Sequence, residues 1–219
     1  MSVLMEGCTP GQCATRRLHL GAVILAAGAG SRLGFRAKGL ISVSGEPLLR
    51  RHLRLLSAVG VDELVVVLGH HAEQLVPLLE DYCDATVVIQ PVDDHSQSAS
   101  LTLGLSALSP SIDAALVVPV DMPALETPDL IALIGAFKHA ETGIEFVGPV
   151  VNGQPGNPVL LSRSIVDQVL RGEGEFGSGQ WRHRKVPWAL DWVTENTRYL
   201  IDIDTPQHLK RWADASGER

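Results

Sequence analysis

The chain has 219 residues, of which 45% are hydrophobic, and this is enough to build the core of one α/β domain. Its 25 acidic residues outnumber its 18 Lys and Arg residues, and the net charge of −7 argues against a nucleic-acid-binding surface. Three cysteines are too few for a disulfide framework, and no apolar run reaches the ~18 residues that a membrane helix needs. We therefore expect a cytoplasmic protein with neither a nucleic acid nor a membrane as partner.

The expected organisation is a disordered leader over residues 1–18, one domain over 19–213 and a short tail over 214–219. From residue 20 onward, short apolar runs alternate with amphipathic stretches, which is typical of β/α units. This pattern predicts a single-domain, Rossmann-like α/β fold with a mostly parallel central sheet and helices on both faces.

The predicted strands are, in chain order, Ala22–Ala27, Glu63–Gly69, Ala85–Gln90, Ala114–Val120, Ile144–Val151, Pro158–Leu161 and Tyr199–Ile203. The predicted helices are Pro47–Val59, Ala72–Asp81, Ser98–Leu108, Thr127–Ala140, Ser164–Leu170 and Pro206–Trp212. The segment Gly172–Gln180 is predicted to be a flexible loop because of its glycine content.

A glycine-rich turn, Gly28–Gly34, follows the first predicted strand. Glycines let the backbone approach a ligand and present amides to an anion, and Arg32 and Lys38 add two cationic side chains. Together these groups can hold a polyphosphate. Leu33 stands where a dinucleotide fingerprint needs its third glycine, and no window matches a P-loop. The alternative is a tight strand-to-helix connection with solvated cations.

Two aspartates are candidate ligands for a divalent cation. Asp121 leaves the predicted strand Ala114–Val120 directly, which places it at the carboxyl edge of the sheet. In the last predicted strand, alternation puts Asp202 and Asp204 on one face, with Asp204 nearer the edge. Mg²⁺ takes few carboxylates and bridges phosphate oxygens in phosphoryl transfer. The alternatives are a solvated turn residue for Asp121 and a helix-capping role beside Thr205 for Asp204.

The eight histidines are scattered, and no Ser/His/Asp or Cys/His arrangement indicates a protein nucleophile. We therefore expect no covalent intermediate. His70 and His71 end a predicted strand near the expected site, and they are interpreted as a surface pair.

Several motifs are similar to those of one family. They are Leu25-Ala26-Ala27-Gly28, Ser31-Arg32, Leu33-Gly34 with Lys38, Gly45-x-Pro47-Leu48, Asp121-Met122-Pro123 and Asp202-Ile203-Asp204-Thr205-Pro206. On these motifs the chain resembles, over about residues 20–212, the molybdenum-cofactor nucleotidyltransferases, which attach GMP or CMP to molybdopterin.

The resemblance implies a GT-A-like nucleotidyltransferase fold and a Mg²⁺-dependent transfer that releases pyrophosphate, with Mn²⁺ as a substitute metal. The implied nucleotide-binding residues are Leu25, Ala26, Ala27, Gly28, Gly30, Ser31, Arg32 and Lys38. The implied catalytic residues are Arg32, Lys38 and Asp121, the metal ligands are Asp121 and Asp204, and the acceptor side includes Ser100, Gly156 and Asn157. The implied partners are CTP or GTP, molybdopterin or another small phosphorylated acceptor, and a molybdoenzyme or its maturation chaperone.

The base stays open, because Leu-Ala-Ala-Gly is typical of the cytidylyl branch whereas Lys38-Gly39-Leu40 and Glu46-Pro47-Leu48 suit the guanylyl branch. One alternative function is transfer to a sugar or polyol phosphate on the same fold. Another is an NAD(P)H-dependent reductase of a small heteroaromatic on the same scaffold, although a dinucleotide fingerprint is missing. A third is a non-catalytic nucleotide-binding partner of a maturation system.

Overall fold

The computed structural model describes residues 17–91, 96–173 and 186–216. Almost all of the predicted leader and most of the predicted loop Gly172–Gln180 therefore lie outside the described residues. Within the described part of the chain, no helix is long and apolar enough to cross a membrane.

The strands are β1 (Leu20–Ala26), β2 (Ser42–Val43), β3 (Glu46–Pro47), β4 (Glu63–Leu68), β5 (Ala85–Ile89), β6 (Ala114–Pro119), β7 (Phe146–Val151), β8 (Gln154–Pro155), β9 (Val159–Ser162) and β10 (Ala189–Val193). The α-helices are α1 (Leu48–Val59), α2 (Ala72–Leu75), α3 (Gln97–Ser106), α4 (Thr127–Lys138), α5 (Arg163–Leu170) and α6 (Pro206–Ser216). Short 3₁₀ turns lie at Ser31–Leu33, Lys38–Leu40, Val76–Leu79 and Thr197–Leu200.

One sheet organises the fold, in the order β10-β7-β9-β6-β1-β4-β5, with β8 added to β7. β1 is parallel to β4 and to β6, and Val23 pairs with Val65 on one side and with Val117 on the other. β9 is antiparallel to both β6 and β7. The predicted α/β fold with a mostly parallel central sheet is confirmed.

Helices cover both faces of the sheet. α1 and α4 pack against each other on one face, and α3 and α5 pack together on the other. The central strands β1, β4 and β6 are almost continuously buried, because a parallel strand covered on both sides has no solvated face. A Cβ at Gly104 of α3 would lie 2.4 Å from Cγ1 of Val23, so the glycine lets α3 approach β1 closely.

The order of the strands places a switch point beside β1. From β1 the chain moves to β4 and β5 on one side and then returns to β6 on the other. The loops after β1 and β6 therefore leave the same edge of the sheet next to each other, which is where open α/β sheets bind ligands. The glycine-rich turn follows β1, and Asp121 follows β6.

The structure differs from the sequence-based prediction in several elements. The strand predicted over Tyr199–Ile203 is wrong: a 3₁₀ turn occupies Thr197–Leu200, begun where the side chain of Asn196 accepts a hydrogen bond from the amide of Arg198 at 3.2 Å. The helix predicted over Ala72–Asp81 is shorter, since α2 continues as a 3₁₀ turn that contains a proline. β10, parallel to β7, was not predicted, because its edge position leaves it half-buried or exposed throughout.

The last helix begins as predicted. Pro206 is its first residue, and the hydroxyl of Thr205 accepts a hydrogen bond from the amide of His208 at 3.2 Å. Thr205 is therefore the N-cap, which leaves the neighbouring Asp204 carboxylate available for other contacts. α6 runs to Ser216, four residues beyond the predicted end at Trp212.

Candidate active site

The glycine-rich turn after β1 is a tight loop built on Gly30. The carbonyl of Gly30 accepts hydrogen bonds from the amides of Leu33 at 2.8 Å and Phe35 at 3.0 Å. Gly30 has a φ of +62°, and a Cβ there would lie 2.1 Å from the carbonyl oxygen of Arg36. Only glycine fits this position, so the loop owes its shape to that residue.

A histidine that follows β4 contacts the same loop. The Nε2 of His71 lies 3.0 Å from the carbonyl oxygen of Ala29, and the His71 side chain is buried. A Cβ at Gly69 would lie 2.6 Å from the carbonyl oxygen of Ala27, so the ends of β1 and β4 are in close contact. The predicted surface pair is therefore wrong for His71, whereas His70 is exposed.

Lys38 joins the two predicted metal ligands. Its ammonium donates to Oδ2 of Asp121 at 2.6 Å and to Oδ1 of Asp204, while Arg32 contacts Oδ2 of Asp204 at 2.9 Å. The side chains of Lys38, Asp121 and Asp204 are only 17%, 16% and 20% exposed. Arg32 is 71% exposed and reaches the site from the solvent side. Two cations thus face two carboxylates at the edge of the sheet.

The pKa values of this cluster follow from burial and charge. Burial lowers the pKa of Lys38, but the charge and hydrogen bond of Asp121, together with Asp204, outweigh it and hold the pKa above its usual value. Burial raises the pKa of Asp204, but the Lys38 hydrogen bond and the nearby cations bring it below its usual value. For Asp202, burial and the negative charges of Asp204 and Asp121 raise the pKa. Lys38 and Asp204 are therefore charged at neutral pH.

Two cavities meet at this cluster. The first has a volume of about 470 Å³ and is lined by Gly28, Gly30, Ser31, Arg32, Lys38, Gln97, Pro119, Asp121, Met122, Gln154, Pro155, Gly156, Asn157, Tyr199, Leu200, Asp202 and Asp204. The second has a volume of about 330 Å³ and is lined by Leu25, Ala26, Ala27, Gly28, Ala29, Ser31, Lys38, Gln90, Gln97, Ser100, Pro119, Val120 and Asp121. Lys38 and Asp121 line both cavities.

The predicted site residues are thereby divided between two neighbouring spaces. The predicted nucleotide-binding residues Leu25–Gly28 line the second cavity, which we call the base-side cavity. Gly156 and Asn157 line the first, which we call the acceptor-side cavity. Ser100 is separated from them: it lines the base-side cavity and donates a 2.6 Å hydrogen bond to the side-chain oxygen of Gln90.

Sequence reasoning missed several lining residues. Gln90 and Gln97 line the base-side cavity, and Gln154 and Tyr199 line the acceptor-side cavity. Gln90 ends a strand at the ligand edge, which is the one signal that could have indicated it. The sequence pattern predicts a strand at Tyr199, and only the tertiary fold brings this residue to the cavity.

The two carboxylates of this cluster could supply some, but not all, of the oxygen ligands that a magnesium ion needs. Asp121 and Asp204 supply carboxylate oxygens, and Mg²⁺ is commonly held by one or two carboxylates plus waters and substrate phosphates. The described residues contain no group of three or more His, Cys, Asp or Glu side chains arranged to hold a metal. A metal at Asp121 and Asp204 would therefore depend on oxygen atoms from a bound phosphate, and Lys38 would have to move from between the two carboxylates.

The glycine loop after β1 and the cations beside it lie at the edge of the sheet where open α/β proteins bind nucleotides, and this arrangement is suited to hold a nucleoside triphosphate. A family model described as the MobA-like NTP transferase domain matches residues 22–188. The chain belongs to this family.

Several proteins are similar to the chain. The molybdenum cofactor guanylyltransferase of Pseudomonas fluorescens (strain SBW25) is 29% identical over 195 residues, which cover 86% of this chain and 90% of that protein. The bifunctional IPC transferase and DIPP synthase of Thermococcus kodakarensis is 38% identical over 93 residues, 40% of this chain and 21% of that protein. The chain thus spans about a fifth of that bifunctional relative.

Solved structures share the fold. Rv0371c from Mycobacterium tuberculosis H37Rv has a TM-score of 0.76 at 21% identity, with 90% of this chain and 98% of that chain covered. A further structure of Rv0371c is a complex with manganese, at a TM-score of 0.69 and 22% identity, with 90% of this chain and 99% of that chain covered.

Proposed function

We propose that the chain is a Mg²⁺-dependent nucleotidyltransferase that transfers CMP or GMP from its triphosphate to molybdopterin and releases pyrophosphate. The observation that carries the proposal is the cluster of Lys38, Arg32, Asp121 and Asp204 at the junction of the two cavities. A triphosphate that spans this junction has its base beside the Leu25–Gly28 backbone and its phosphates beside the cations. The acceptor then enters from the other cavity.

The chemistry needs little from the protein besides positioning and charge. An oxygen of the acceptor phosphate attacks the α-phosphorus in line, and the bond to the leaving pyrophosphate breaks. A phosphate monoester is mostly dianionic at neutral pH, because its second pKa is about 6, so no protein base is required. Lys38 and Arg32 neutralise charge on the phosphates as the bond to pyrophosphate lengthens, and this lowers the barrier without a covalent intermediate.

Asp121 and Asp204 are the residues that would hold the metal in this proposal. When bound, Mg²⁺ supplies charge neutralisation at the phosphate oxygens. Lys38 contacts the same two carboxylates, so we expect it to exchange these contacts for the triphosphate as nucleotide binds.

The choice of molybdopterin as acceptor is supported by the share of one relative's length that the chain matches. The Pseudomonas fluorescens guanylyltransferase is matched over 90% of its length, whereas the Thermococcus kodakarensis protein is matched over 21%. CTP and GTP remain the two candidate donors. By the family resemblance, the Leu25–Gly28 motif favours CTP, whereas Lys38-Gly39-Leu40 and Glu46-Pro47-Leu48 favour GTP. A molybdoenzyme or its maturation chaperone would receive the product.

A polyol or sugar phosphate is the second candidate acceptor, and one observation favours it. Among the described residues that line the acceptor-side cavity, Tyr199 is the one aromatic residue. This residue is only 1% exposed, so a pterin ring could not stack on it. Gln154 and Asn157 instead supply amide groups at this cavity, and amides suit the hydroxyls of a polyol.

A panel of donors and acceptors tests the proposal. CTP, GTP, ATP and UTP are each incubated with Mg²⁺ and with molybdopterin, a set of sugar and polyol phosphates, or no acceptor. Thermal shift reports nucleotide binding, pyrophosphate release reports turnover, and mass spectrometry identifies the product. The matched control is Asp121→Asn, which keeps the size of the side chain and removes its charge.

The outcomes separate the candidates. Pyrophosphate release with CTP or GTP that requires molybdopterin supports the first candidate, and release that requires a polyol or sugar phosphate supports the second. A protein stabilised by no triphosphate contradicts both. In that case NADPH oxidation with small heteroaromatic substrates tests the reductase alternative.

A further inference from the structure

Asp129 is a buried carboxylate outside the charged cluster of the candidate active site. Its side chain is 2% exposed, and it accepts a capping hydrogen bond from the amide of Glu126 at 2.9 Å at the start of α4. The cap uses one hydrogen bond, whereas a buried carboxylate needs several to offset the loss of water. The remaining partners come from a segment that is distant in sequence.

That segment is Asn196–Arg198. The guanidinium of Arg198 donates to both carboxylate oxygens of Asp129, from Nε to Oδ2 at 2.9 Å and from Nη2 to Oδ1 at 2.7 Å. The side-chain Nδ2 of Asn196 donates to Oδ1 of Asp129 at 2.7 Å. The hydroxyl of Tyr199 adds a 2.7 Å hydrogen bond to the backbone carbonyl of Asp129. We call these four residues the Asp129 clamp.

The clamp holds the segment that forms one wall of the acceptor-side cavity, because Tyr199 and Leu200 line that cavity. The backbone carbonyl of Tyr199 accepts a 2.9 Å hydrogen bond from the amide of Asn157. A Cβ at Gly156 would lie 2.6 Å from the same carbonyl oxygen, so the loop with Gly156 and Asn157 rests directly on Tyr199. Both sides of the acceptor wall thus depend on the position of Tyr199.

The chain next to Asp204, a predicted metal ligand, is held by a separate contact. The amide of Ile203 donates to the carbonyl of Asp121 at 2.9 Å, and the Ile203 side chain is fully buried. This contact fixes the chain just before Asp204 and does not involve Asp129. Loosening the clamp should therefore disturb the acceptor wall more than the charged cluster.

We infer that Asp129 and Arg198 are positioning residues for the acceptor, acting through Tyr199 on Asn157. The inference rests on the proposed function, since it assigns the acceptor to this cavity. It gives the buried carboxylate a task beyond capping α4: the clamp sets the shape of the acceptor wall while leaving the nucleotide side unchanged.

The test compares Arg198→Met with Arg198→Lys. The methionine variant removes both hydrogen bonds to Asp129, and the lysine variant keeps the charge and can form one of them. Asp129 retains its hydrogen bonds from Glu126 and Asn196 in both variants, which favours folding. Arg54→Met is the matched control, because Arg54 also donates two hydrogen bonds to one carboxylate, that of Glu46 at 3.1 and 2.8 Å, and lines neither cavity.

The kinetic measurement is KM for the acceptor beside the dissociation constant of the triphosphate without acceptor. We expect Arg198→Met to raise the acceptor KM on the order of tenfold, because small displacements of positioning groups cost about that much or more. Nucleotide affinity should stay within about twofold, Arg198→Lys should recover part of the loss, and Arg54→Met should change neither quantity. An equal loss for acceptor and nucleotide, or no loss for either, overturns the inference.

Amide hydrogen exchange followed by NMR tests the clamp without turnover. In Arg198→Met, the Asn157 amide, which donates to Tyr199, should exchange faster. The Gly156 amide, which donates to the carbonyl of Pro149 at 2.8 Å, should keep its protection. Unchanged exchange at Asn157 contradicts the inference.

If the wild-type protein transfers nucleotide to no acceptor, the proposed function fails, and this measurement still decides whether the clamp positions the wall. If Arg198→Met does not fold, Asn196→Ser gives the same comparison.

Discussion

Replacing Lys38 by methionine tests the centre of the candidate active site. The substitution keeps an unbranched side chain that is one atom shorter, and it removes the ammonium that contacts Asp121 and Asp204. A hydrogen bond to a charged group contributes about 1.5–3 kcal/mol, so loss of one such contact to the triphosphate should raise its dissociation constant by about 10- to 150-fold. Without nucleotide, the two carboxylates lose a shared cation.

The effect on stability is worked from burial. Breaking a fully buried ion pair costs about 3–5 kcal/mol, but these three side chains are 16–20% exposed, so water replaces part of the lost interaction. Arg32 also continues to contact Asp204 at 2.9 Å. We therefore expect the free energy of unfolding to fall by about 2 kcal/mol, below the cost of the fully buried case.

Calorimetric titration with CTP and GTP in Mg²⁺ measures the affinity, and urea denaturation measures the stability. The titration is run well below the unfolding midpoint of the variant so that lost binding is not confused with unfolding. Lys210→Met is the control, because Lys210 is an exposed lysine of α6 that lines neither cavity. Unchanged nucleotide affinity in Lys38→Met would remove Lys38 from the nucleotide site and refute the reasoning.

Three further predictions follow from single positions. Asp121→Ala should abolish Mg²⁺-dependent pyrophosphate release while its circular dichroism spectrum stays that of the wild type, and a fully active variant would exclude Asp121 as a ligand. Gly30→Ala should lower the free energy of unfolding by about 1–3 kcal/mol and weaken triphosphate binding, because φ of Gly30 is +62° and the Arg36 carbonyl leaves no room for a Cβ. If titration gives the variant wild-type affinity for the triphosphate, the shape of this loop is not needed for binding. Burial lowers the pKa of His52 to about 4, so the unfolded chain binds more protons between that pH and the ordinary histidine value of 6.5. Stability should therefore be lost as pH falls through this window, by up to about 3 kcal/mol, and a slope in urea denaturation that persists in His52→Gln would contradict it.

Much of the fold could be predicted because burial on both sides of a strand leaves a direct mark on sequence. Val23, Val65 and Val117 belong to apolar runs that hardly alternate, and the structure pairs them across three central strands. The cap at Thr205 was also local, since a threonine at the N-cap followed by a proline at the first helical position is a preferred way to begin a helix. These features depend on neighbours in the chain.

The predictions that failed concern residues whose contacts are distant in the sequence. The segment Tyr199–Ile203 is apolar enough to suggest a strand, but Asp129 draws Asn196 and Arg198 into a turn from almost 70 residues away in the sequence. His71 was interpreted as exposed because nothing near it in the sequence indicates the Ala29 carbonyl that it contacts. The sequence pattern groups Ser100 with Gly156 and Asn157, whereas the path of α3 places it in the other cavity, hydrogen-bonded to Gln90, and its role stays a prediction.

The sequence by itself determined the class of fold, the glycine turn after the first strand and the acidic residues at the carboxyl edge, since each follows from local pattern and strand burial. Only the tertiary structure decided which of these groups touch. Lys38 is separated by 83 residues from Asp121 and by 166 from Asp204. Asp121 reaches Lys38 because β6 returns to the open side of β1, and Asp204 reaches it because the amide of Ile203 donates to the carbonyl of Asp121. The order of strands is set by the packing of the whole core, and that order, together with the backbone contact between Ile203 and Asp121, brings these cations and carboxylates into one site.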